Sequence, residues 1–145
     1  MTSTTYFPDV NVWIALASDR HVHNAAARIW LDEIKTDRIV FCRITELGLV
    51  RLLANSHVMG DEVLSAAAAW QVYDIFRADP RITFAGEQAG FDAFWGTRAR
   101  RVSGGPNAWT DAYLAAFALH HEFTLVTLDR AFKAHYQCAV IILCE

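Results

Sequence analysis

The chain has 145 residues, 54% hydrophobic and 20% charged, a size and composition that suit one domain over residues 1–145, burying about 70% of its unfolded surface. Its formal net charge of -3 argues against a protein that coats nucleic acid through overall positive charge, although a local basic patch still binds phosphate. MTSTTYFPDV lacks the basic and long apolar regions of a signal peptide, and no apolar run approaches the roughly 18 residues of a spanning helix, so a soluble, cytoplasmic protein without membrane contact is expected.

Cys42, Cys138 and Cys144 are odd in number and lack CxxC spacing, which predicts small core residues and neither a disulfide framework nor a thiolate zinc site. There is no internal repeat or low-complexity linker. Thr5 to Phe7 reads as a strand, because Phe7 precedes Pro8 and is biased toward extended backbone. Val10 to Ala17 and His23 to Ile34 have helical spacing, and Arg38 to Cys42 (RIVFC) is a continuous apolar run of the buried-strand kind. Ile44 to Ala54 and Asp61 to Phe76 read as helices, followed by a strand at Ile82 to Ala85 and a helix at Gln88 to Arg98. SGGPN, Ser103 to Asn107, stops that helix and offers Asn107 as the cap of the next, Ala108 to His121. Thr124 to Thr127 and Ala139 to Leu143 are further strands, separated by DRAFKAHY. Strands alternating with helices imply a parallel α/β sheet covered on both faces.

Such sheets bind ligands at the carboxyl ends of their strands. Asp9 lies just past the first predicted strand and Asp129 just past TLVT, so the two meet if those strands are neighbours. Asp111 shares a helix face with Leu114, Ala115 and Ala118, and Glu46 shares one with Leu49, Val50 and Leu53. Carboxylates on inward faces are costly unless paired or bound to a cation. Each acid alone has an ordinary explanation: a first-turn acid favours the helix dipole, and an Asp after a strand caps or turns the chain. Four together at strand ends and helix starts point to a site.

These segments carry a resemblance. DVNVWIAL, RITELGLVRLL, WTDAYLAAFA and TLVTLDRAF stand in the order of the four acidic motifs of PIN-domain ribonucleases, and over nearly its whole length the chain resembles the VapC toxins of bacterial type II toxin-antitoxin systems. The resemblance implies an α/β fold, a PIN-like three-layer α/β/α sandwich with a parallel sheet of order 3-2-1-4-5, which makes the first and fourth strands neighbours. It assigns Asp9, Glu46, Asp111 and Asp129 to the catalytic, metal-binding quartet, with Asn11 and Thr127 behind them. It further implies hydrolysis of an RNA phosphodiester to 5′-phosphate and 3′-hydroxyl ends, a homodimer, and a VapB-type antitoxin whose arginine enters the acidic pocket. Two positions depart from the pattern: Pro8 precedes Asp9 where an apolar residue is usual, and HHEF replaces the glycine that often ends the helix before the fourth strand.

Converging carboxylates repel one another and hold protons unless a cation joins them. All-oxygen ligands suit Mg2+ or Mn2+, which lets an acidic pocket bind a polyanion. Arg98, Arg100 and Arg101 are the local candidates for gripping RNA, or else a solvated helix end. Trp95 and Trp109 read as core packing before base stacking, and the six histidines as surface or packing residues. Two alternatives stand beside the nuclease. One is a catalytically inactive PIN-like module that binds protein or RNA. The other is an aspartate-nucleophile phosphatase, disfavoured because Asn11 occupies the place of its second Asp.

Overall fold

The computed structural model describes residues 3–132 and 137–143; Cys144 and residues 133–136 of the DRAFKAHY segment lie outside them. Five strands, β1 (Thr5–Pro8), β2 (Arg38–Phe41), β3 (Ile82–Phe84), β4 (Thr124–Thr127) and β5 (Val140–Ile142), form one sheet of order β3-β2-β1-β4-β5. Every neighbouring pair is parallel. The order is the one implied by the resemblance, and it sets Phe7 beside Leu125 and Pro8 beside Val126.

Side chains of a strand alternate between faces, which sorts the core into two layers. Ile39, Phe41 and Val126 point to one side, where α1 (Val10–Ala17), α2 (Asn24–Glu33), α3 (Arg43–Leu53) and α5 (Ala66–Ala78) contribute Trp13, Trp30, Leu49 and Tyr73. Phe7, Val40 and Leu125 point to the other, against Phe91 of α6 (Phe91–Ala99) and the Leu114 to Ala118 stretch of α7 (Asn107–His121). The result is the expected α/β/α sandwich. Cys42 is buried and Cys138 half-buried, both as free thiols. No helix among the described residues is long and apolar enough to cross a membrane.

Several helix starts differ from expectation, each for a local reason. The helix predicted from Asp61 begins at Ala66, because the Ser65 hydroxyl accepts the Ala68 N–H at 3.1 Å and caps it there. Before it come a short helix, α4 (Ser56–Met59), and a 3-10 turn, Gly60–Glu62. Helix α6 begins at Phe91, after Gly90 in left-handed backbone (φ 86°), since the Gln88 N–H is drawn to His121 Nε2 at 3.1 Å. Asn107 is the first helical residue of α7 and not its cap; Pro106 holds the cap position without a side-chain bond.

Both departures from the motif pattern are absorbed by the backbone. The Asp9 N–H donates to Val126 O at 2.8 Å, so by strand alternation the Pro8 nitrogen faces β2, whose paired residues end at Tyr6 and Ile39. The N–H missing from proline has no partner to lose there. At the end of α7, Glu122 takes the left-handed conformation itself, with φ 59°.

Candidate active site

Asp9 is both the residue after β1 and the N-cap of α1. Its backbone is pinned to β4, its Oδ1 accepts the Val10 N–H at 2.7 Å, and its Oδ2 accepts the Thr127 hydroxyl at 3.2 Å. Thr127, fully buried at the end of β4, also accepts the Asp129 N–H at 3.1 Å and lies 3.4 Å from the Asn11 amide nitrogen. Asn11 Oδ1 in turn accepts the Leu128 N–H at 3.3 Å. Four of the residues singled out in the sequence, Asp9, Asn11, Thr127 and Asp129, therefore form one hydrogen-bonded group across the β1–β4 edge. Asn11 serves there as an amide that both donates and accepts, a use that the second Asp of an aspartate-nucleophile phosphatase would not provide.

Asp111 comes from the other helical layer. It sits in the second turn of α7, past the reach of the helix N-terminus, so the dipole does not account for it. No hydrogen bond or ion pair holds its carboxylate among the described residues. Burial, and then the Asp129 carboxylate, push its pKa above the ordinary range. For Asp9 the value rises to about 6: burial is the largest cause, the Asp111 and Asp129 carboxylates add to it, and the Val10 N–H and Thr127 hydroxyl oppose it. Three acids from distant segments thus feel one another's charge. Asp129 additionally turns the chain, its Oδ1 accepting the Ala131 N–H at 2.9 Å.

Glu46 departs from this group. Although buried on the first turn of α3, it gives both carboxylate oxygens to Arg43 Nη1, at 2.8 and 2.9 Å. Arg43 had no place in the sequence reading. Its only signal there was the i,i+3 spacing to Glu46, a spacing shared by many surface pairs. Tyr73 also faces Glu46; burial and then that carboxylate raise the phenol pKa against the Arg77 guanidinium.

Among the described residues, no three His, Cys, Asp or Glu side chains already stand close enough to enclose a bare ion. The aspartates nevertheless fit a hard cation. Their donors are all oxygens, no cation among the described residues forms an ion pair with them, and Mg2+ characteristically keeps several waters while using only one or two carboxylates. Of the four acids singled out in the sequence, Asp9, Asp111 and Asp129 offer oxygens to such an ion, while both Glu46 oxygens are engaged by Arg43.

A cleft of about 740 Å³ opens beside the acids, lined by Asp111 and Asp129 together with Arg98, Arg101, Ser103 and Gly104. Arg98 lies over the Phe94 ring at 3.9 Å, whereas Arg100 is turned back onto the Gly96 carbonyl at 2.6 Å. Trp95 packs edge-on against Tyr113, as core packing predicts. Trp109 is 55% exposed, which overturns its reading as a core residue. His121 is a packing residue: Nδ1 lies 2.8 Å from Phe117 O and Nε2 accepts from Gln88, a pattern that fits the neutral ring protonated on Nδ1.

The family model of the PIN domain matches residues 6–137. The chain belongs to the PIN-domain family. Among curated relatives, this PIN domain is 47% identical over 132 residues to Ribonuclease VapC41 of Mycobacterium tuberculosis, covering 88% of this chain and 90% of that one. It is 36% identical over 139 residues to Ribonuclease VapC29 of the same organism, covering 95% and 96%. Solved PIN-domain structures share the fold at low identity. VapBC2 from Rickettsia felis, bound to a DNA fragment from its promoter, superposes with a TM-score of 0.69 at 17% identity over 95% of this chain and 98% of that one. VapC20 of Mycobacterium tuberculosis, described as a sarcin-ricin loop cleaving toxin, gives 0.62 at 17% over 91% and 96%.

Proposed function

We propose that this chain is a VapC-type toxin, an endoribonuclease that hydrolyses RNA phosphodiester bonds with the help of a divalent cation, Mg2+ or Mn2+. The observation that carries the reading is the convergence of Asp9, Asp111 and Asp129, from three remote segments, at the carboxyl edge of β1 and β4, with charge that no ion pair among the described residues balances. The ribonuclease relatives support the reaction type.

A divalent cation held by these carboxylates supplies charge against the phosphate and eases the ionisation of water. The chain's own groups do the rest. Thr127 and the Val10 N–H fix the Asp9 carboxylate so that its oxygens keep their aim. Asn11 locks the Thr127–Leu128 backbone to α1 and thereby holds the β4 end against the β1 end. Arg98 and Arg101 set positive charge on the rim of the cleft that Asp111 and Asp129 line, where an RNA backbone would lie.

A VapB-type antitoxin is the proposed inhibitor, a role supported by neighbours solved as VapBC complexes. Exposed Leu47, Trp70 and Ile75 on α3 and α5 support a homodimer, and the chain would act as one PIN domain in the cytoplasm.

Mapping of RNA 5′ ends after induction tests the reading and names the substrate. Wild-type protein should create new 5′-phosphate ends at defined sites, and Asp9→Asn or Asp111→Asn protein at equal level should create none. New ends that persist in both variants, or that never form, would leave a binding module as the better account.

A further inference from the structure

We propose that Arg43 is a phosphate-binding residue for the RNA strand, and that Glu46 is its anchor and not a ligand of the cation. The inference rests on the nuclease reading above and extends it to the opposite side of the acidic centre.

The pair is asymmetric. The Glu46 side chain is only 8% exposed, whereas that of Arg43 is 67% exposed, so a buried acid holds a guanidinium that faces solvent. Both Glu46 oxygens engage a single nitrogen, Nη1. The Nε and Nη2 donors have no protein partner among the described residues. The guanidinium also lies over the Phe84 ring, 4.5 Å from its centroid, a second contact that restrains it. An arginine held this way has lost its side-chain freedom in advance and keeps a fork of N–H groups of the kind that meets phosphate oxygens in pairs. If the only role of Arg43 were to neutralise Glu46, nothing would require its remaining donors to face water.

The same contacts disqualify Glu46 as a ligand in this arrangement. A guanidinium within 2.9 Å of both oxygens repels a second cation from them.

Location supplies the remaining step. Arg43 begins α3 directly after β2, the strand next to β1, so it stands at the same sheet edge as Asp9. Gly48 of α3 leaves no room for a Cβ against Val10, the residue after Asp9, so the two helices cross closely there. Arg98 and Arg101 line the cleft with Asp111 and Asp129 on the side of the sheet that α6 and α7 cover, whereas α3 packs on the other side. A strand crossing the acidic centre would thus meet a cation before it and cations after it.

The test uses the full chain in an Asp111→Asn background that cannot cleave. Binding of a short mixed-sequence single-stranded RNA is followed as salt is raised, alongside Mn2+ affinity of the otherwise wild-type chain by paramagnetic resonance. Arg43→Gln keeps the stem and a donor for Glu46. It should reduce the slope of log affinity against log salt by about 0.7, the share of one phosphate contact on a single strand. Arg43→Lys should keep that slope while losing affinity, because the charge remains but the fork does not. Glu46→Gln should leave Mn2+ affinity within about twofold of wild type, while Asp111→Asn lowers it by about tenfold or more. An unchanged slope in Arg43→Gln, or a Mn2+ loss in Glu46→Gln equal to that in Asp111→Asn, overturns the inference and leaves the nuclease reading intact. A wild-type chain that binds no Mn2+ overturns both.

Discussion

The Thr127 hydroxyl donates to Asp9 Oδ2 at 3.2 Å although the two residues are 118 positions apart, and Thr127 Oγ1 itself receives the Asp129 N–H. One buried atom thereby sets the distance between two acids. Thr127→Val keeps the shape but strands the Asp129 N–H and the Asn11 amide and frees the Asp9 carboxylate to rotate. It should cost about 1 to 3 kcal/mol of stability and lower cleavage by about a hundredfold through misplacement. Thr127→Ser, which restores the hydroxyl, should cleave near the wild-type rate. Urea unfolding with a single-turnover cleavage assay separates the two effects.

Asp9 gives the cation-free protein a defined pH dependence. Its pKa is raised from 3.8 to about 6, so between those values the folded state holds a proton that the unfolded state has released. Stability therefore falls as pH rises through this window, the penalty being absent below 3.8 and complete above about 6. It is on the order of 3 kcal/mol at neutral pH. In EDTA, wild-type Tm should drop relative to Asp9→Asn between pH 4 and pH 7, and saturating Mn2+ should restore it in the wild type alone. Parallel pH profiles for the two proteins would show that the Asp9 carboxylate is compensated in some other way.

Gly48 sits where α3 crosses α1, and a Cβ added there would lie 2.6 Å from Val10 Cγ2. Valine is stiff about χ1 and cannot swing aside. Gly48→Ala should therefore destabilise the fold by about 1 kcal/mol, the overpacking cost exceeding the gain in helix propensity. In a Val10→Ala background the clash disappears and the same change should stabilise. A double-mutant cycle in urea reads this reversal of sign directly.

Glu122 is the one residue other than glycine with positive φ among the described residues. Glu122→Gly should stabilise the protein by about 1 kcal/mol, since left-handed backbone is strained for a residue with a Cβ and easy for glycine. Glu122→Ala should bring no such gain. Calorimetric Tm values for the three proteins check it.

How far the sequence reveals this architecture depends on what each residue must satisfy. Strands such as RIVF and TLVT announce themselves because burial on both faces demands unbroken apolar runs. The acids stood out because Asp111 and Glu46 share faces with buried Leu114 and Leu49. Which strand lies beside which is a long-range property, and it came from the resemblance and not from periodicity. The start of α5 was misplaced because Asp61 and Glu62 look like first-turn acids. Instead, Arg20 and Ser18 hold Glu62, and Ser65 caps the helix. Arg43 was invisible for a different reason: whether an exposed arginine merely decorates a helix or neutralises a buried acid depends on burial alone, which spacing does not encode. Trp109 misled in the opposite direction, a large ring that the fold leaves in water.

The pairing of β1 with β4 has a temporal meaning. Residues 5–8 wait for residues 124–127 before the central ladder can close, so β1 leaves the ribosome long before its β4 neighbour does. A nascent chain consequently has no assembled acidic centre before Asp111 and Asp129 have left the ribosome. Assembly of the centre therefore follows translation of α7 and β4 and cannot precede it.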